Sequence, residues 1–256
     1  MVQQSGGNID LDIRQISMDE PWSWLNRGWR DLCTRPGISL CYGITFTVAS
    51  YVLVGCLQFL DLLYLLLPLG AAFTLLGPML AVGLYEASRR IETGEEVRLK
   101  NVAFVGIRSP IQLAIVGLFL ILAFLVWLRV ATVLFALFFS GATPNFAELI
   151  PTLILTTHGI AFLIVGSAIG AVLAFAVFAI SAISVPLLLD REVDAITAII
   201  TSIRSVANNF RPMLLWAWLI AMLTLAGMVT LFVGMIVTFP LIGHATWHSY
   251  RDLIEA

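Results

Sequence analysis

Residues 212–250 contain no aspartate, glutamate, lysine or arginine. As one helix they would be about 58 Å long at ~1.5 Å per residue, far thicker than a ~30 Å hydrocarbon core. The stretch therefore predicts two tightly linked membrane helices, with a turn near Gly227 and Gly234. Composition agrees: 60% of the 256 residues are hydrophobic and only 12% charged. Soluble domains run at about 45–50% apolar and ~25% charged. With a mean hydropathy of +0.97, the chain reads as a polytopic membrane protein, not a disordered, collagen-like or disulfide-stapled one.

Six apolar spans follow. The first covers about 38–60 and the second 62–85. The third starts after Pro110 and passes Trp127, the fourth falls within 153–189, and the last two share 212–250. The fold expected is all-α, with six transmembrane helices arranged as three hairpins. Five spans are the main alternative. Residues 1–18 read as a frayed polar tail without a signal peptide, and 19–256 as one transmembrane domain.

Charge position sets orientation. With six spans, Arg14, Arg27, Arg30, Arg35, Arg89, Arg90, Arg98, Lys100, Arg108, Arg191, Arg204, Arg211 and Arg251 fall on one side. The opposite connections carry Asp61 and Glu148, and only Arg129 approaches them. The positive-inside rule then predicts cytoplasmic N- and C-termini. A net charge of −2 carries no nucleic-acid signal, so the expected partners are membrane lipids and other membrane subunits. Cys33, Cys41 and Cys56 have no C-x-x-C spacing and read as small apolar packing residues.

A weak threefold pattern runs through the chain. Arg35-Pro36, Arg108-Ser109-Pro110 and Arg211-Pro212 open the hairpins, and Pro78, Pro186 and Pro240 lie on the returning arms. Proline suits a helix's first turn and kinks a span elsewhere. Arginine at these openings reaches lipid phosphate. Trp22, Leu25, Trp29 and Leu32 recur at helical spacing, as do Ile196, Ile199, Ile200, Ile203 and Val206. Both segments, and more weakly 97–107, predict amphipathic helices on the inner membrane surface. In span four, Gly166-x-x-x-Gly170 and neighbouring small residues predict close helix packing.

Few residues offer chemistry. Arg129 reads as an outer interfacial anchor, or as an anion or lipid contact paired with Glu148 or Asp61 if its span runs on through Leu134 to Phe139. Arg35, Arg108 and Arg211 are further anion or lipid contacts. His244 and His248, four apart, share a helical face as metal or haem ligands would, and equally as an aromatic interface. His158 is a weaker ligand candidate. Glu86 and Arg90 form an i,i+4 pair. Phosphate-loop, nucleophile-elbow and zinc spacings are missing from the sequence. The expectation is no catalytic residue, no cofactor and no metal.

The chain resembles DUF2189, a family of bacterial integral membrane proteins of unknown function. The resemblance rests on Pro21-Trp22-x-Trp24-Leu25-x-x-Gly28-Trp29-Arg30-Asp31-Leu32, Pro36-x-x-Ser39-Leu40-x-Tyr42-Gly43, and Gly77-Pro78 leading to Gly83-Leu84-Tyr85-Glu86-x-Ser88-Arg89-Arg90. Further along come Trp127-x-Arg129-x-Ala131, Pro186-x-Leu188-Leu189-Asp190-Arg191, and Gly243-His244-Ala245-Thr246-Trp247-His248-x-Tyr250-Arg251-Asp252-Leu253. It implies a bacterial inner-membrane protein and no activity. Some relatives carry cytochrome-oxidase-like labels. With three histidines, such a label implies at most an accessory role beside a respiratory complex. The function expected is a non-enzymatic scaffold or accessory subunit; the alternative is a small transporter or channel.

Overall fold

A computed structural model describes residues 12–103, 108–139 and 146–254. Among the described residues the chain is helical, and the one β-bridge pairs Ile13 with Ile254. The helices are α1 (Glu20–Thr34), α2 (Pro36–Phe59), α3 (Leu66–Leu80), α4 (Val82–Thr93), α5 (Leu99–Ala103) and α6 (Pro110–Phe139). They continue as α7 (Phe146–Leu155), α8 (Thr157–Ser181), α9 (Ser184–Asp190), α10 (Ala195–Asn208), α11 (Phe210–Val229) and α12 (Met235–Leu253).

Four of these segments are long and apolar enough to cross a membrane: Pro36–Phe59, Pro110–Phe139, Thr157–Asp190 and Phe210–Val229. The other two expected spans are helical but do not meet that standard. The second is divided at Ala81 into α3, 15 residues long, and α4. The sixth, α12, carries both histidines and Arg251 in its C-terminal half. Hydropathy averaged over a span does not register such a division or such a polar end.

Proline and hydroxyl groups account for the breaks. Pro36 starts α2 and pushes Arg35 out of the helical region, to φ −134° and ψ 62°, so the chain bends between α1 and α2. Pro186 has no N–H for the carbonyl four residues back, and the helix breaks between α8 and α9 at Ala182 and Ile183. Ser202 of α10 patches that break. Its hydroxyl donates to the Ala179 carbonyl at 2.7 Å and accepts the Ile183 N–H at 3.1 Å, taking the place of one rung of the helical ladder.

The α11–α12 turn holds Leu231 and Phe232 at φ 54° and 66°, a left-handed conformation costly for these side chains. Two hydroxyls of α2 fix it. Tyr51 donates to the Leu231 carbonyl at 2.6 Å and Thr47 to that of Phe232 at 3.1 Å. Gly43 brings α2 and α12 together: a Cβ there would run into the Ile236 carbonyl. That carbonyl is the one Pro240 deprives of its helical N–H. Gly28 likewise admits the Ala245 backbone, whose nitrogen would lie 2.7 Å from a Cβ. Helix α12 is thus clamped between α1 and α2.

The main core gathers Trp24, Leu84, Tyr85, Ile183, Leu187, Leu188, Trp216 and Tyr250, all buried. It sits where α1, α4, α9 and α10 pack on α11 and α12. This changes the reading of the amphipathic segments. The buried side of α1 is Pro21, Trp24, Gly28, Asp31 and Leu32, while Trp22 and Trp29 are exposed. The buried side of α10 is small and polar, and its isoleucines Ile196, Ile200 and Ile203 face outward. Both helices are packed parts of the body that also keep an outward apolar edge.

Among its described residues the segment 97–107 contains the short α5; residues 104–107 lie outside those described. The frayed-tail expectation for 1–18 stops short of Ile13. The Arg14 N–H donates to the Leu253 carbonyl at 3.0 Å, and the Asn209 side chain accepts from the Ile16 N–H and donates to the Arg14 carbonyl, each at 2.9 Å. Residues 1–11 lie outside the described part. The cysteines, expected as packing residues, are all free and exposed.

Two substitutions test this packing. Gly43→Ala should lower the thermal stability of the purified protein by about 1–3 kcal/mol, the usual overpacking cost. Gly55→Ala, in open space on the same helix, should be neutral or slightly stabilising. Asp194 caps α10, its carboxylate accepting the Thr197 N–H at 2.9 Å. Hydrogen bonds from the Thr197 side chain and then its backbone hold that carboxyl below its ordinary range. The stabilisation is therefore present above the unfolded value of about 3.9 and lost as pH falls through the lower folded one. Asp194→Ala should cost about 1 kcal/mol at pH 7, and the difference from wild type should vanish in acid unfolding curves.

Candidate functional site

Helices α1, α2, α4 and α12 each contribute a polar side chain to one buried chain of hydrogen bonds. Ser39 Oγ lies 2.9 Å from His244 Nε2, and Ser88 Oγ lies 2.7 Å from His244 Nδ1. Ser88 donates to Asp31 Oδ2 at 2.6 Å, and His248 Nε2 meets the same oxygen at 2.9 Å. Ser39, Ser88, Asp31 and His244 are buried, and His248 is nearly so.

The donors can be assigned from chemistry. The single proton of Ser88 goes to the Asp31 carboxylate, so Ser88 accepts from His244 Nδ1–H. Both partners of His244 are hydroxyls, and a charge buried between them would be costly, so the ring is neutral and its Nε2 accepts from Ser39. The direction is then uniform: Ser39 to His244 to Ser88 to Asp31, with His248 donating to Asp31 from the far side.

A layer of paired charges surrounds this chain. Arg27 forks onto Asp252, with Nη1 to Oδ1 at 3.1 Å and Nη2 to Oδ2, while Trp24 Nε1 donates to Asp252 Oδ2 at 2.7 Å. Trp247 Nε1 and Arg251 Nε both donate to Glu92, at 2.9 and 3.0 Å. Tyr250 donates to Asp190 at 2.8 Å. The nearly buried Glu86 accepts from Arg90 Nε at 2.6 Å and Arg89 Nε at 2.8 Å. The Glu86–Arg90 pairing read from spacing is therefore present, with Arg89 as a second partner. Outside the body, Glu95 is held below the usual carboxylate range, first by its hydrogen bond from Arg89.

His244 and His248 do share a helix face, yet their ring nitrogens are directed to Ser39, Ser88 and Asp31. Among the described residues no three histidine, cysteine, aspartate or glutamate side chains converge as metal ligands would. Arg35, Arg108, Arg129 and Arg211 are all exposed and lie outside this cluster, as does the exposed His158. Arg129 is not at a helix end: α6 is 30 residues long and continues through residues 130–139. The Glu148 side chain lies outside the described residues.

Spacing on α12 found the two histidines. Asp31, Ser39 and Ser88 escaped notice, because their partners are 57 to 217 residues away in sequence. The available signal was a polar side chain facing inward among apolar neighbours on each helix.

Apolar helices of membrane-crossing length, with the polar side chains of α1, α4 and α12 paired at one end, define a polytopic integral membrane protein. Residues 66–190, which run from the start of α3 to the end of α9, match the model of the DUF2189 family, described as predicted integral membrane proteins. The matched stretch includes Gly77-Pro78, Glu86, Ser88, Arg129 and Pro186; α1, α2 and α12 lie outside it. No curated protein and no solved structure matches the chain.

Ser88→Ala leaves His244 Nδ1–H without its acceptor and removes a donor from Asp31. It should cost about 1–3 kcal/mol in thermal or denaturant unfolding. Asp31→Ala, which strands Ser88 and His248 together, should cost at least as much. The double variant should lose clearly less than the sum, because the two side chains share one hydrogen bond.

Proposed function

We propose that this protein is a non-enzymatic scaffold or accessory subunit of a membrane complex in the bacterial inner membrane, a respiratory complex being one candidate. In this reading α3 with α4 and α12 cross the bilayer alongside the four long apolar segments. That makes six spans in three hairpins with both termini cytoplasmic. The distribution of lysine and arginine supports that orientation.

One observation carries the functional reading. Arg27 and Asp31 of α1, Glu86 and Glu92 of α4, and His248, Arg251 and Asp252 of α12 are all engaged in ion pairs at one end of the bundle. The apolar faces of α6 and α8 are turned outward; only 6% of the most apolar window of Thr157–Asp190 is buried. Side chains such as Ile164 and Val172, 66% and 73% exposed, offer a surface for neighbouring helices of other subunits. A transporter would instead need polar groups converging at mid-membrane near its broken helices.

Purification of the tagged chain in mild detergent, with mass spectrometry of what accompanies it, tests this role. The expected result is a stoichiometric membrane-protein partner that is lost on Val172→Trp or Ile164→Trp. Recovery of a lone monomer, or solute flux into proteoliposomes containing only this chain, contradicts it. Fluorescent-protein fusions at each terminus should both fluoresce in intact cells; alkaline-phosphatase activity at the C-terminus would exclude the six-span arrangement.

A further inference from the structure

A cavity of about 610 Å³ lies between α3, α6, α8 and α11. Trp127, Phe135 and Phe162 wall it, and Thr132 and Ser167 are the polar side chains among its described lining. The lining residues Ser167, Ala171, Ala221 and Leu225 are exposed, so the cavity opens sideways between α8 and α11. The small residues of α8 divide here between the close packing their spacing predicts, at Gly170, and open space, at Gly166. A Cβ on Gly166 would meet nothing within 4 Å, and Gly170 faces the Trp127 ring.

Size narrows the occupant. A membrane-crossing helix, as a cylinder about 10 Å wide and ~30 Å long, fills roughly 2,400 Å³ and does not fit. The cavity volume is instead that of a small-molecule site, about 300–1,000 Å³. Apolar walls disfavour water. A hydrocarbon chain, present at high concentration around the mouth, fits both the size and the chemistry.

Charge narrows it further. Arg129 is exposed. It directly follows Leu128 and stands three residues before Thr132, both of which line the cavity, so it flanks the cavity-facing side of α6. At about 1.5 Å per residue it lies roughly 28 Å along α6 from Pro110. The apolar helix continues beyond it to Phe139. A cation within such a segment marks a functional contact by default and is costly without an anion. Guanidinium is the side chain best matched to phosphate. We propose that this cavity binds one hydrocarbon chain of an anionic phospholipid whose head-group phosphate is held by Arg129.

The full chain in nanodiscs of zwitterionic phosphatidylcholine provides the test. Phosphatidylglycerol or phosphatidylcholine with brominated chains is added in increasing amounts. Quenching of Trp127 is isolated by subtracting the Trp127→Phe variant. Brominated phosphatidylglycerol should reach half-maximal quenching at a several-fold lower mole fraction than brominated phosphatidylcholine. Arg129→Gln should abolish that preference. Gly166→Leu, whose side chain enters the cavity, should reduce quenching by both lipids. Circular dichroism and the unfolding midpoint of each variant should match wild type, which separates loss of the site from loss of the fold. Equal quenching by the two lipids in wild type overturns the proposal. So does a preference that survives Arg129→Gln.

Discussion

The Ser39–His244–Ser88–Asp31–His248 chain is the interaction on which the rest of the body depends. It joins α1, α2, α4 and α12 through partners 57 to 217 residues apart in sequence. Each member satisfies the next, and leaving any one unpaired in a buried site costs more than the bond itself contributes. Because the donors run in one direction, the chain has a single low-energy arrangement. It therefore fixes the relative rotation of four helices, which interchangeable apolar contacts do poorly.

Around that chain, the charges at the same end are organised in a similar way. Asp252, Glu92, Asp190 and Glu86 each bind a side chain on another turn or another helix. The C-terminal half of α12 is the hub, since Trp247, Tyr250, Arg251 and Asp252 all belong to it. Two tryptophan N–H groups, from Trp24 and Trp247, go to carboxylates and are fully used. Toward the membrane the logic changes to apolar contact, hydroxyls that patch broken helical rungs, and prolines that create the breaks.

Much of this was legible in the chain. The prolines lie at or near the starts of α2, α6, α9 and α11 and inside α3 and α12, where their chemistry requires. The apolar runs became helices. What escaped was pairing and direction. Hydropathy assigned Trp22 and Trp29 to the same stripe as Leu32, yet Trp24 is the tryptophan that α1 places in the core. The α10 stripe read as the face of a helix lying on the membrane surface; Ile196, Ile200 and Ile203 are exposed, but Val206 is buried, and the small residues and Ser202 of α10 pack against the α8–α9 break. Periodicity identifies a face; it does not say whether protein or lipid covers it. The small residues of α8 read as a packing seam, and Gly170 does take the Trp127 ring at close range, but Gly166 beside it lines a cavity.

The central claim is that His244 is a neutral link in the chain, with both ring nitrogens engaged by serine hydroxyls. Nitrogen-15 magnetic resonance of histidine-labelled protein in lipid, with His244 assigned from the His244→Gln variant, tests it directly. The ring should be neutral and carry its proton on Nδ1. Its Nε2 should have the shift of a hydrogen-bond acceptor, and added Zn²⁺ should leave both signals in place. A proton on Nε2, a charged ring at neutral pH, or a signal displaced by metal would contradict the account.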